Sequence, residues 1–302
     1  MTPHRNIRDS FIMAGWLLLF SVATSLTVIA QDTQETDDID LLLDELLYNE
    51  QQFVDDILES FYRYNFIYAN LSLESNTYFS GRDPGVDQIN IVPQLSYYSS
   101  TGFNLSVSGI YYESYTPHWD FTKVYAGYYN SIGKNQLFTY EAGYAHYFYS
   151  DGWDVFTNAV SLGIGLRNKK QSIGTKLTAT YLFGTDQTFQ LVSRTYARVA
   201  LAKGKNYVLK FRPQVNFILA EQTIELERLD PDPIDPLPEY DYEDVFGLLN
   251  TQINLPLALS TRSWDFELGY NINLPNPQKS EPDLDPNGFF HVSIGYLIDL
   301  NK

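Results

Sequence analysis

The sequence contains no cysteine, which excludes disulfides, thiolate metal sites and a lipidated N-terminal cysteine. It is also short of positive charge. Against 37 Asp and Glu stand 20 Lys and Arg, a net charge of −17 at pH 7, and so acidic a chain excludes nucleic acid as a partner. Beyond residue 30 no run of about 20 apolar residues occurs, which excludes a transmembrane helix in the remaining chain. Histidine is scarce as well, and His118 and His146 lack the spacing of metal ligands. No cofactor is expected.

The N-terminus does hold one long apolar run. His4, Arg5 and Arg8 precede "FIMAGWLLLFSVATSLTVIA", which ends in the small residue Ala30. Residues 1–30 are therefore expected to be a cleaved signal peptide. Its removal takes away Arg5, Arg8 and Asp9, leaving 18 basic against 36 acidic residues, a net −18. Residues 31–61 form an acidic segment in which Ile39, Leu42, Leu43, Leu46, Phe53 and Ile57 recur at helical spacing among nine acids of 37–61. This predicts an amphipathic helix with an apolar stripe to bury.

From residue 62 the period changes from 3.6 to 2. Alternating runs lie near 66–80, 87–100, 102–114, 121–131, 136–150, 154–168, 171–185, 188–202, 206–221, 246–260, 264–275 and 288–300, twelve candidate strands. The connections between them fall into two classes. One set is short ("SSTG", "SIGKN", "RNKKQ", "AKGKN", "STRS"), and the other is longer and mostly acidic, with "EQTIELERLDPDPIDPLPEYDYEDV" the longest. Parity turns Ile67, Ala69, Leu71 and Leu73 to one face and Tyr68, Asn70, Ser72 and Glu74 to the other, and it puts Val292, Ile294, Tyr296, Ile298 and Leu300 on the apolar face of the last strand. Tyr111, Tyr115, Trp119, Phe148 and Trp153 fall near the long-loop ends, with Tyr97, Tyr128 and Trp264 near the short-turn ends, as two aromatic girdles would.

Long strands with an apolar outer face, an even count, two classes of turn and abundant Tyr (24) and Phe (19) resemble the Gram-negative outer-membrane β-barrel proteins. The resemblance spans residues 62–302 and is architectural. It implies an all-β, transmembrane, antiparallel up-and-down barrel of about twelve strands in contact with outer-membrane lipid. The last strand, "FFHVSIGYLIDLNK", departs from it in lacking the usual terminal aromatic.

The same parity turns Arg194, Arg198, Lys210 and Arg212 towards the lumen, joined by Lys176 and Arg167, so strands six to nine carry a basic wall. A three-residue turn would seat Arg198 opposite Arg212, a repulsive pair that something must offset. Inward acids are expected elsewhere, at Glu74, Glu141, Asp265, Glu267 and Asp299. Opposed walls would set a transverse field and shape ion selectivity, whereas mutual neutralisation would suit a largely filled barrel. In the acidic loop, Asp232, Asp235, Asp241 and Glu243 are weak divalent-ion candidates, although repeated Asp-Pro suits a stiff, solvated loop.

Three functions follow. The first is a narrow porin-like channel for small polar or anionic solutes. The second is a non-conducting accessory subunit of an envelope assembly, meeting other envelope proteins through residues 37–61 or the 221–245 loop. The third is a lipid hydrolase, resting on His291 and Ser293, the His-x-Ser of "HVS". This last is disfavoured because that face is lumenal and no carboxylate lies nearby in the sequence. The expectation is a non-enzymatic barrel.

Overall fold

The computed structural model describes residues 65–78, 80–83, 88–133, 136–152, 155–227, 240–278, 281 and 283–300, without the side chains of 222–245. The expected signal peptide, the acidic helix and Trp153 lie outside the described residues. Fifteen strand segments form one sheet: β1 (Phe66–Glu74), β2 (Asn90–Tyr98), β3 (Phe103–Tyr112), β4 (Trp119–Ile132), β5 (Phe138–Tyr149), β6 (Asn158–Arg167), β7 (Ile173–Phe183), β8 (Gln187–Ala197), β9 (Val199–Lys203), β10 (Tyr207–Phe211), β11 (Gln214–Glu227), β12 (Tyr240–Asn254), β13 (Leu257–Thr261), β14 (Trp264–Pro275) and β15 (Asn287–Asp299).

All pairings are antiparallel, and β1 pairs with both β2 and β15, which closes the sheet. Three pairs of segments are single barrel strands. The registers Phe211↔Leu257 and Gln214↔Asn254 run on across the break between β10 and β11, and Asn254↔Asn271 and Leu257↔Leu268 run on across that between β12 and β13. The breaks fall at Pro213 and Pro256, which have no N–H to give to a ladder. With β8 and β9 joined at Arg198, the fold is a closed twelve-strand antiparallel barrel.

Alternation carries the outer face as the sequence predicts. Leu71, Leu95, Leu105, Leu162, Leu166, Phe266, Val292 and Ile298 are exposed, Leu162 at 61% and Leu166 at 59%. Apolar exposure on every strand of a closed sheet is what a bilayer covers, because hydrocarbon admits only backbone whose hydrogen bonds are satisfied internally. Tyr111, Trp119 and Phe148 are exposed near the long-loop end, and Tyr128 and Trp264 near the other.

Two sequence-based expectations are corrected. The stretch 221–245 is not loop throughout, since β11 reaches Glu227 and β12 starts at Tyr240, with Gln222↔Val245 and Glu227↔Tyr240 in register. The alternation in "TIELE" and "YDYED" is a strand pattern that the density of acids had masked. Asp241 and Glu243 therefore lie on a strand, opposite Leu226 and Ile224, while Asp232 and Asp235 lie outside the described residues. Nor is Tyr115 a girdle residue. It packs edge-on to Tyr112 at 5.7 Å and against an interior cluster of Val92, Ile110, Phe121, Tyr147, Phe156 and Leu182. Near the long-loop end of β2–β7 the inner face is thus apolar and aromatic.

Replacing the outward Leu162 by Arg separates a bilayer-covered belt from a merely solvent-exposed one. In phospholipid vesicles the substitution is expected to lower folding stability by about 2–4 kcal/mol, the cost of a cation near the bilayer midplane, read by urea titration. A change near zero would place Leu162 outside hydrocarbon.

Candidate functional site

The inner face is the site, and its side chains are brought together by strand register. Arg167 and Arg194 are buried, at 7% exposure each, while Lys176, Arg198, Lys210 and Arg212 are partly covered. Lys176 lies directly across from Arg194. The registers Phe211↔Val199 and Gln214↔Tyr196 on either side seat Arg198 across from Arg212. Two cross-strand pairs of like charge must therefore be offset.

Acids from more distant strands meet this need. Glu141 on β5 reaches across β6 to Lys176 on β7, with Oε2 and Nζ 2.7 Å apart. It can do so because the intervening inward residue is Gly163, where a Cβ would stand 2.6 Å from Glu141 Cγ. Arg212 likewise reaches over the β12–β13 strand to pair with Glu267 on β14. Arg198 turns to the short-turn rim, stacked 4.6 Å from the Tyr196 ring centroid and donating to the Gln171 carbonyl at 3.3 Å. Arg167 donates to the Gln136 amide oxygen at 3.1 Å.

Of the other inward groups, Asp265 lies within electrostatic range of Arg212 and Lys210, and Asp299 is exposed at the short-turn rim, in register with Phe66. Glu74 and Glu267 flank His291, with Nδ1 3.8 Å from Glu74 Oε1 and Nε2 3.5 Å from Glu267 Oε1. Glu74 Oε2 also accepts a hydrogen bond from Asn90 Nδ2 at 2.9 Å. A polar chain Arg212–Glu267–His291–Glu74–Asn90 thus runs across the seam where the last strands meet the first. Sequence reasoning placed each of these charges inward but missed their meeting, and it found no carboxylate for His291. Strand β1 meets β15, and through it β14, only when the barrel closes. Ser293 is 2% exposed on the inner wall, away from the lipid-facing side, and this argues against the hydrolase.

Above this chain, at the long-loop end, stands a ladder of amides that parity alone leaves anonymous. Asn250 and Gln252 each donate to Asn273 Oδ1 at 3.0 Å, and Asn273 donates to Asn287 at 2.9 Å. Asn287 in turn donates to the Gly81 carbonyl. Ser80 and Gly81 have positive φ, 45° and 79°, which bends the β1–β2 connection over the ladder. Arg82 fixes it there through a two-fold pair with Glu281, Nε–Oε1 and Nη2–Oε2 both 2.7 Å. That pair ties the neighbouring β1–β2 and β14–β15 connections together at the long-loop rim.

No family model matches this sequence, and no curated protein matches it. Among solved structures the chain is similar to a KdgM porin (12% identity, TM-score 0.44, covering 76% of this chain and 98% of that one) and to a NanC porin (7%, 0.44, 76% and 98%). It is also similar to the translocator domain of autotransporter NalP from Neisseria meningitidis (12%, 0.42, 86% and 98%). These values describe a shared barrel outline and assign no activity.

If Glu141 offsets the Lys176–Arg194 repulsion, Glu141→Gln lowers folding stability by on the order of 3 kcal/mol, the scale of breaking a buried pair from one side. Glu141→Gln with Lys176→Gln recovers most of the loss. Denaturant titration of the two single variants and the double variant measures the coupling, and strictly additive losses would mean that the pair contributes nothing.

Proposed function

We propose that the protein is an outer-membrane channel of narrow bore for small polar or anionic solutes, with a basic lumen wall of Lys176, Arg194, Arg198, Lys210 and Arg212. The observation that carries this reading is the hydration its inner wall demands. Among the described residues, the side-chain oxygens of Asn70, Asn90, Gln214, Asn250 and Gln252 are buried with no protein partner. Leaving a buried acceptor unsatisfied costs about 1–3 kcal/mol. Five of them on one inner face therefore call for water within the barrel. A barrel serving only as an anchor has no need of such groups. The exposed apolar belt supports the membrane setting, and the expected signal peptide supports export.

A second reading, a non-conducting subunit of an envelope assembly, draws on the interior apolar cluster and on the Arg82–Glu281 tie, both of which stand at the long-loop end. Planar-bilayer recording separates the two. A channel shows discrete conductance. Its reversal potential at asymmetric salt moves towards cations when Arg198 and Arg212 are both replaced by Gln, because charges within about 8 Å of the path dominate at physiological ionic strength. Absence of conductance from the wild type and from Arg82→Gln and Glu281→Gln variants, with a stoichiometric partner recovered from detergent extracts of native membranes, would establish the subunit reading instead.

The mouth supplies its own prediction. Arg82→Gln or Glu281→Gln is expected to raise conductance or open time by freeing the β1–β2 connection, and the exchanged pair Arg82→Glu with Glu281→Arg to restore wild-type behaviour. Unchanged conductance in both single variants would show that the tie does not restrict the path.

A further inference from the structure

Among the described residues, Asp299 apart, the exposed charges are also sorted along the barrel axis. At the long-loop end Glu113, Asp186, Asp283 and Asp285 are exposed. At the other end the turns present Lys169, Lys170, Lys203, Lys205 and Arg262, all exposed and, among the described residues, in no ion pair of their own. These five cations stand on three adjacent turns: Arg167–Ile173 between β6 and β7, Lys203–Tyr207 between β9 and β10, and Thr261–Trp264 between β13 and β14. The pairing of β9 with β10 and of β10 with β13 places the last two turns side by side.

Their height is fixed by what flanks them. Leu166 and Ile173, outward-facing and 59% and 56% exposed, bracket the first turn; Leu201 and Tyr207, 54% and 46% exposed, bracket the second. Leu201 and Lys203 are two residues apart, about 7 Å of strand. Beside Arg262 stands Trp264, an outward ring 4.6 Å from that of Tyr296, and paired aromatics of this kind settle at the edge of the hydrocarbon. The cations therefore begin where the apolar belt stops, at the depth of lipid phosphates. A lysine held there meets anionic headgroups at short range and low dielectric, whereas one further out is screened.

We propose that this short-turn rim is a docking surface for anionic phospholipid headgroups of the leaflet it faces, and that the acidic opposite end presents no such surface. The inference rests on the membrane reading given above. Lipid is favoured over a protein partner because the basic residues follow the belt's edge around neighbouring turns instead of converging on a concave site.

The chain's four tryptophans permit a direct test. With Trp16, Trp119 and Trp153 replaced by Phe, Trp264 reports on the basic rim; a companion variant retaining only Trp119 reports on the acidic end. Full-length protein is reconstituted in vesicles containing brominated phosphatidylglycerol or brominated phosphatidylcholine, and fluorescence quenching is measured. The expected result is association with phosphatidylglycerol about fivefold stronger than with phosphatidylcholine at Trp264, the factor one lysine at an anionic surface supplies, and none at Trp119. The preference should vanish in 1 M salt and after Lys169, Lys170, Lys203, Lys205 and Arg262 are all changed to Gln. Equal preference at both ends, or a preference surviving those five changes, would overturn the proposal. So would a preference that arises only after deletion of residues 32–60, since the acidic N-terminal segment would then be the native occupant. No quenching of either tryptophan by brominated phosphatidylcholine would overturn the membrane reading itself.

Discussion

The pairing of β1 with β15 is the constraint on which the rest depends. A sheet in hydrocarbon cannot leave an edge, because each unpaired N–H or C=O there costs several kcal/mol with no water to repay it. Closure satisfies those groups over nine residue pairs, from Phe66↔Asp299 to Glu74↔His291. It also sets the register of the seam, and with it the composition of the lumen. Slipping β1 by one residue against β15 would turn Leu71 inward and Glu74 into lipid. The seam is accordingly where a carboxylate from the first strand, an imidazole from the last and a carboxylate from the one before it come together.

Glycine decides how these side chains lie. At Gly163 and Gly165 the inner wall of β6 is bare, so Glu141 and Thr139 from β5 fold over it, and Glu141 meets a lysine two strands away. Gly295 serves the same purpose on β15, where a Cβ would run into the Tyr68 hydroxyl. Contacts across a bare strand let residues that are not cross-strand neighbours neutralise each other. They also let Lys176 and Arg194 stay adjacent without forcing either outward.

Period-2 alternation made the strands, their faces and the two classes of turn legible in the sequence, because burial on one side and lipid on the other leave parity little freedom. The same reasoning seated Arg198 across from Arg212, as the registers on either side place them; the break at Pro213 was within its reach but was not drawn from it. What escaped it depends on register between segments distant in sequence: the Glu74–His291–Glu267 grouping, the Asn250–Asn273–Asn287 ladder and the Arg82–Glu281 pair, 199 residues apart. The inward apolar cluster near Phe121 and Tyr147 escaped for another reason. Aromatic residues near strand ends read equally well as girdle or as interior, and only the face each ring takes in the folded barrel decides between them.

Ion pairs inside a barrel need not be stabilising for their own sake. Two charges removed from water give back in attraction about what they lost in solvation, and apolar replacements are often no worse. Their presence here is better understood through the amides beside them. A lumen lined by Asn and Gln with open acceptors retains water, and water lowers the desolvation cost of Arg212 and Glu267 while weakening their attraction. Under those conditions the pairs contribute little to net stability but penalise every register in which the charges fail to meet. Paired charges and hydrated amides on the seam thus specify one closure of the barrel, and the same groups leave its inner wall polar.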